Sequence, residues 1–161
     1  MTKRGRGGSE HLRRAIELAM ENVRARRGGP FGAVIVRGGK VIAEGVNLVT
    51  STPDPTAHAE VVAIRKAAAE IGSHVLAGCE IYASCEPCPM CLGAIYWAHL
   101  DSVCFAASEA DAAAAGFDDA FLYRELAAPA EARRIPARRM LAREGVKPFR
   151  AWRESASKVP Y

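Results

Sequence analysis

Two short segments about 30 residues apart, His58-Ala59-Glu60 and Cys88-Pro89-Met90-Cys91, limit what this chain can become more than any other feature. Each stands where the hydrophobic pattern predicts a helix to open. The first precedes a stripe of Val61, Ile64, Ala68 and Ile71 in a helix starting near Thr56, and the second heads a helix over Pro89 to Trp97. An imidazole and two thiolates are donors that a tetrahedral zinc favours, and three protein ligands leave a fourth position for water. Cys88 and Cys91 lie three residues apart and share a helix face, while His58 enters from the first turn of the preceding helix. One ion on all three requires a fold in which two helix N-termini meet, and the partial positive charge of those ends favours ionised thiolates.

Glu60, two positions beyond His58, is expected to miss the metal yet reach the open coordination position beside it. Zinc makes water acidic enough to attack an amidine-like carbon, and a neighbouring carboxylate moves the proton to the departing nitrogen. A bare C-x-x-C also serves redox and structural zinc sites, but a closed structural site wants four ligands and no convincing fourth is found. H-x-E followed by P-C-x-x-C is the pattern of the zinc nucleobase deaminases. Cys79, Cys85 and Cys104 fall at or near strand positions and are expected as small buried hydrophobes. His11, His74 and His99 have no partner motif, and Met90 and Trp97 are expected in the core or along the site wall.

The remaining pattern alternates helices and strands. Leu12, Ile16, Met20 and Val23, with Ala19, repeat at helical spacing after the cap candidate Ser9, and Gly28-Gly29-Pro30 supplies a stop. Phe31 to Val36 and Val41 to Val46 predict an antiparallel hairpin. Strands follow at Glu80 to Ser84 and Ser102 to Ala107, with a short helix near Glu109 to Ala115 and an irregular stretch from Gly116 to Arg124. A weak strand around Ile135 to Leu141 is demoted to an edge by Pro136, and a final helix spans about Lys147 to Ser157. The expectation is an α/β fold with a central mixed five-stranded sheet, later strands parallel, and helices on both faces.

A chain of 161 residues, half of them apolar, fits one compact domain over residues 9–161, with a disordered basic extension at residues 1–8. No apolar run approaches the roughly 20 residues of a membrane span, and the basic start lacks the apolar stretch of a signal peptide, so a cytoplasmic protein is expected. Five cysteines do not make a disulfide scaffold. The net charge of +4 is unevenly spread: residues 1–27 carry eight Lys and Arg against three acids, residues 28–132 five against thirteen, and residues 133–161 nine against two. An acidic centre argues against a site that grips nucleic acid. The blocks describe either an ordinary solvated surface or a basic patch formed by the two ends.

Gly28-Gly-Pro-Phe-Gly32, Glu44-Gly-Val-Asn47, Asp54-Pro-Thr-Ala-His-Ala-Glu60 and Ser84-Cys-Glu-Pro-Cys-Pro-Met-Cys91 resemble the cytidine-deaminase-like superfamily. Ala115-Gly-Phe-Asp-Asp-Ala-Phe121, Pro148-Phe-Arg-Ala-Trp-Arg153 and the terminal Tyr161 narrow the resemblance to the bacterial guanine deaminases, nearly end to end from the first helix. That resemblance implies a three-layer αβα fold, usually a homodimer whose C-terminal segment, about residues 145–161, crosses to the neighbouring subunit. Taken alone, the tail residues favour fraying. It further implies that His58, Cys88 and Cys91 bind one Zn2+ per subunit and that Glu60 shuttles protons. Phe31 would stack on a purine, Asn47 would hydrogen-bond it, Asp119 would recognise the base or assist proton transfer, and Tyr161 of the partner subunit would complete the pocket. From the residues alone Phe31 serves equally as strand packing and Asn47 as a turn cap, and spacing does not say which of Asp118 and Asp119 turns inward. The implied reaction converts guanine to xanthine and ammonia on a small-molecule purine, with no role for membrane or nucleic acid. Rival substrates are guanosine, cytosine, an amino-triazine and an adenosine in transfer RNA. A non-catalytic zinc-stabilised binding module is the rival class.

Overall fold

In the computed structural model the described residues are 4–160. Their elements run α1 (Arg4–Arg24), β1 (Gly32–Arg37), β2 (Lys40–Val46), α2 (Ala59–Ile71), β3 (Cys79–Cys85), α3 (Pro89–Trp97), β4 (Ser102–Ala107), α4 (Glu109–Ala114) and α5 (Ala120–Ala127). A 3-10 turn at Ala130–Ala132 and the short helices α6 (Ala142–Gly145) and α7 (Lys147–Glu154) follow. The strands lie in the order β2-β1-β3-β4. β1 is antiparallel to β2, its hairpin partner, and to β3, while β4 runs parallel to β3. A parallel neighbour needs a crossover, and α3 supplies it.

The side-chain period of two explains the layers. Ala33 and Ile35 of β1 and Cys79 and Ile81 of β3 point to the face covered by Ala59, Ala63 and Ala67 of α2 and Ile95 of α3. Val34 and Val36, with Val46 and Tyr82, meet Leu18 of α1 on the other face. Fully burying side chains such as Ile35, Leu76 and Ile81 contributes about 1.5–3 kcal/mol each. The αβα layering and mixed sheet are therefore as expected, but the sheet has four strands rather than five.

The missing strand is the segment from Ile135 to Leu141, which forms no ladder. Pro136 has no N–H to donate, and Ile135, Met140 and Leu141 are 80%, 77% and 68% exposed, so no apolar face drives pairing. Helix α1 also differs from its pattern. Its buried face is Ala15, Leu18, Ala19 and Asn22, while Ile16, Met20 and Val23 of the expected stripe are exposed. Small residues win because α1 approaches β1 closely: a Cβ on Gly32 would collide with the Ala15 carbonyl oxygen. On the opposite face a Cβ on Gly45 would strike the Ala59 carbonyl, so β2 admits the first turn of α2 only because it carries glycine there.

Residues 4–8, expected in a disordered extension, continue α1 towards the N-terminus, with Ser9 inside the helix rather than capping it. Extending an existing helix costs far less than nucleating one. The stretch after Gly116 is not irregular throughout, because the Asp118 carboxylate accepts the Ala120 N–H at 2.9 Å and starts α5. Cys104 is exposed on β4, where buried packing was expected, and Trp97 is 67% exposed rather than part of the core. No helix among the described residues is long and apolar enough to cross a membrane.

The chain divides after Tyr123 into two compact units. The first carries the sheet. In the second, the Glu125 carboxylate accepts the Arg134 N–H at 2.8 Å, and the Arg133 guanidinium donates to the Ala128 carbonyl at 3.1 Å.

Candidate active site

The site begins in the loop that enters α2. Asp54 accepts from the backbone N–H and hydroxyl of Thr56 at 2.8 and 2.7 Å, a local turn that sets the chain direction just before His58. His58 is the residue preceding the first helical turn, with extended backbone (φ −68°, ψ 154°), and its side chain caps nothing. Cys88 occupies the equivalent position before α3 (φ −64°, ψ 168°), with Pro89 opening the helix, and Cys91 follows at the end of the first turn. Two helix starts thus present three donors to one point.

The Nδ1 of His58 lies 3.6 Å from the Cys88 Sγ and 3.5 Å from the Cys91 Sγ, and all three donor atoms fall within 4.8 Å of one another. A tetrahedral zinc with Zn–N of about 2.1 Å and Zn–S of about 2.3 Å requires N to S separations of about 3.6 Å. The donors therefore match the ion in type and in spacing. No fourth His, Cys, Asp or Glu joins the group among the described residues. This is the arrangement of a catalytic site with an open position rather than a closed structural one.

The thiols titrate as a pair. Cys88 falls to about 4 because the Cys91 thiol donates to it, with His58 assisting against the cost of burial. Cys91 is pushed up by that same hydrogen bond and by its own burial. His58 is raised, chiefly by its hydrogen bond with Cys88. Glu60, only 6% exposed in the first turn of α2, is also raised, and here burial is the main cause. A buried carboxyl that retains its proton more readily than usual suits transfer of that proton.

Glu60, His58 and Cys88 form one side of a cavity of about 330 Å³. Phe31 and Phe117 line it and meet edge to face, with centroids 5.0 Å apart and planes at 87°. Asn47 also lines it. The Asn47 Oδ1 accepts N–H bonds from Gly29 and Val49, both at 3.3 Å, which leaves the amide N–H groups as the part able to meet a ligand. The two adjacent aspartates have separated roles: Asp118 caps α5, whereas the Asp119 Oδ1 is buried without a partner. Burial, followed by the nearby Cys88 charge, raises the Asp119 carboxyl.

Residues 7–107 match the cytidine and deoxycytidylate deaminase zinc-binding region. The chain belongs to that deaminase family. The metal for which His58, Cys88 and Cys91 are placed is zinc. The chain is 57% identical over 150 residues to guanine deaminase of Bacillus subtilis, covering 93% of this chain and 96% of that protein. It superposes on the crystal structure of guanine deaminase from the same organism with a TM-score of 0.93 and 54% identity, covering 100% of this chain and 99% of that one. A second similar structure, 37% identical with a TM-score of 0.65 over 68% of this chain and 61% of its own, was solved in complex with 2,6-diaminopurine.

The deaminase fold gathers His58, Glu60, Cys88, Phe31, Asn47 and Asp119 around one cavity, and the fully buried Cys91 joins His58 and Cys88 in the donor group. Tyr161 lies outside the described residues. Among the wall residues that sequence reasoning missed are Glu86, Glu109 and Phe117. Glu86, inside the cysteine motif, accepts the Glu109 N–H at 3.1 Å, and Phe117 completes the aromatic pair. Glu86 had a signal in its place between Cys85 and Pro87, but Phe117 and Glu109 have none in spacing or periodicity. Cys85 is buried as expected and lines the cavity as well.

Proposed function

We propose that this protein hydrolyses guanine to xanthine and ammonia. The observation that carries the reading is the Asp119 carboxyl, whose Oδ1 has no hydrogen-bond partner, lining the same cavity as Glu60, His58 and Cys88. An orphan acceptor is costly unless a ligand N–H satisfies it, and guanine offers ring and exocyclic N–H donors on one edge. The Asn47 amide suits an acceptor on the same base, and the Phe31 ring suits its flat face. Among the described residues the cavity wall carries Glu60, Glu86, Glu109, Asp118 and Asp119 but no Lys or Arg, which favours a neutral base over a phosphorylated one. Extensive similarity to a guanine deaminase supports the same choice.

His58, Cys88 and Cys91 would hold zinc, which when bound supplies water acidic enough to attack a ring carbon near neutral pH. Asp119 and Asn47 hold the base with C2 towards Glu60, and the aromatic pair limits entry of bulk water. The Glu60 carboxylate takes a proton from the attacking water and, as the carboxyl so formed, delivers it to the exocyclic nitrogen on C2. That nitrogen departs as ammonia and the ring carbon keeps the oxygen, so guanine and water balance xanthine and ammonia.

We also propose that the protein acts in the cytoplasm as a homodimer whose C-terminal segment crosses to the neighbouring subunit, where Tyr161 of the partner subunit closes the pocket. The basic balance of residues 133–161 against the acidic residues 28–132 gives such an exchange an electrostatic rationale. Ammonia release from guanine, guanosine, cytosine, cytidine, adenine and an amino-triazine by zinc-loaded protein tests the substrate. Guanine should exceed the rest, and preference for another base would overturn the roles of Asn47 and Asp119. Deletion of Val159 to Tyr161 tests the tail, and unchanged kcat/KM would refute it.

A further inference from the structure

Helix α1 supplies no residue to the cavity wall, yet one of its side chains reaches the base-binding loops from behind the sheet. Asn22 is fully buried, and its Nδ2 donates to two carbonyl oxygens from distant parts of the chain, Gly29 at 2.9 Å and Asn47 at 2.8 Å. Both amide hydrogens are therefore committed. The circuit closes through the cavity: the Gly29 N–H donates to the Asn47 side-chain oxygen at 3.3 Å, the Phe31 N–H to the Gly29 carbonyl at 2.9 Å, and the Asn47 N–H to the Phe31 carbonyl at 3.1 Å.

We infer that Asn22 is a positioning residue for substrate recognition, setting the side-chain orientation of Asn47 and the backbone of Phe31 without touching the base. Three features support this. The amide cannot be flipped, because its oxygen would then face two carbonyl oxygens. The Asn22 Oδ1 is buried without a partner, so an apolar residue would sit there at lower desolvation cost, and what distinguishes asparagine is its pair of N–H donors. The two chains it joins also pack without slack, since a Cβ on Gly28 would collide with the Asn47 carbonyl oxygen. A small shift of this clamp moves the Asn47 amide and the aromatic wall together. His58, Cys88 and Cys91 hang from other elements, the starts of α2 and α3.

The inference rests on the proposed reading of Asn47 and Phe31 as base-binding residues. Steady-state kinetics of zinc-loaded wild type, Asn22→Ala, Asn22→Asp, Asn47→Ala and the Asn22→Ala/Asn47→Ala double variant test it, on whichever base of the panel the wild type turns over fastest. Asn22→Ala and Asn22→Asp should raise KM about 10-fold or more with kcat and zinc content within about 2-fold, and Asn22→Ala should raise KM by a smaller factor in the Asn47→Ala background than in the wild type. A lowered melting temperature with unchanged KM would leave Asn22 as a merely structural residue and overturn the inference. So would KM effects that multiply in the double variant. If the Asn22 variants do not fold, Gly28→Ala strikes the same clamp from the other side: a KM-selective loss absent in the Asn47→Ala background supports the inference, and unchanged KM overturns it. A wild type that prefers a base other than guanine sinks the substrate assignment alone, because the KM ratios are read on the preferred base.

Discussion

The two sides of the cavity are built by different means. The metal side hangs from two helix starts, where regular hydrogen bonding fixes His58, Cys88 and Cys91 to within the spacing zinc needs. The other side, the proposed base side, consists of loops around Gly29, Asn47 and Phe117–Asp119, held by side-chain to backbone hydrogen bonds and leaving two buried oxygens, of Asn22 and Asp119, unpaired. A metal centre is all or none, because losing one ligand abolishes the ion. A loop-built wall can be adjusted in steps, which lets a family keep one chemistry while changing the base it accepts.

The sharpest way to break this contrast is Cys91→Ser, which should release zinc and lower kcat/KM by about 10³-fold or more, as metal analysis beside the assay would show. Removing zinc by chelation from the wild type should match it, and re-addition should restore activity only in the wild type. Glu60→Gln comes next. It should retain zinc while kcat falls about 10²–10⁴-fold, the range for a lost general acid–base group, and full activity with zinc bound would remove Glu60 from its role. On the base side, Asp119→Asn should retain zinc and lower kcat/KM about 10–100-fold, as expected when a charged hydrogen-bond partner of the ligand is lost. Its melting temperature should hold or rise, because the change eases a carboxyl whose Oδ1 is buried without a partner. A zinc-deficient Asp119→Asn protein would mean that the two sides are not independent.

The smallest effect lies away from both. The Arg14 guanidinium holds Glu44 at 2.7 and 2.9 Å, and that hydrogen bond is the main cause of a carboxyl below its ordinary value. A lowered folded-state value contributes stability above the unfolded carboxylate range, near pH 4.5, that is lost as pH falls through the folded value. Glu44→Gln should therefore flatten the acid limb of a denaturation series while changing neutral stability by less than about 1 kcal/mol, since both side chains remain about a third exposed.

The sequence by itself determined the metal ligands and the positions of the four strands along the chain, because each rests on local rules. Donor chemistry and helix-start spacing mark His58, Glu60, Cys88 and Cys91, and alternation marks the strands. Local rules failed where the outcome depended on what packs opposite. Ile16, Met20 and Val23 of the expected α1 stripe lost to Ala15 and Leu18, which join the expected Ala19 on the buried face because Gly32 allows close approach, and Ile135 to Leu141 form no ladder. Only the tertiary structure decided that Asp118 accepts the Ala120 N–H while the Asp119 Oδ1 stays buried without a partner, that Phe117 joins Phe31, and that Asn22 ties Gly29 to Asn47. Those relations join residues distant in the chain, and no periodicity records which buried oxygen goes unpaired until the fold has assigned every other partner.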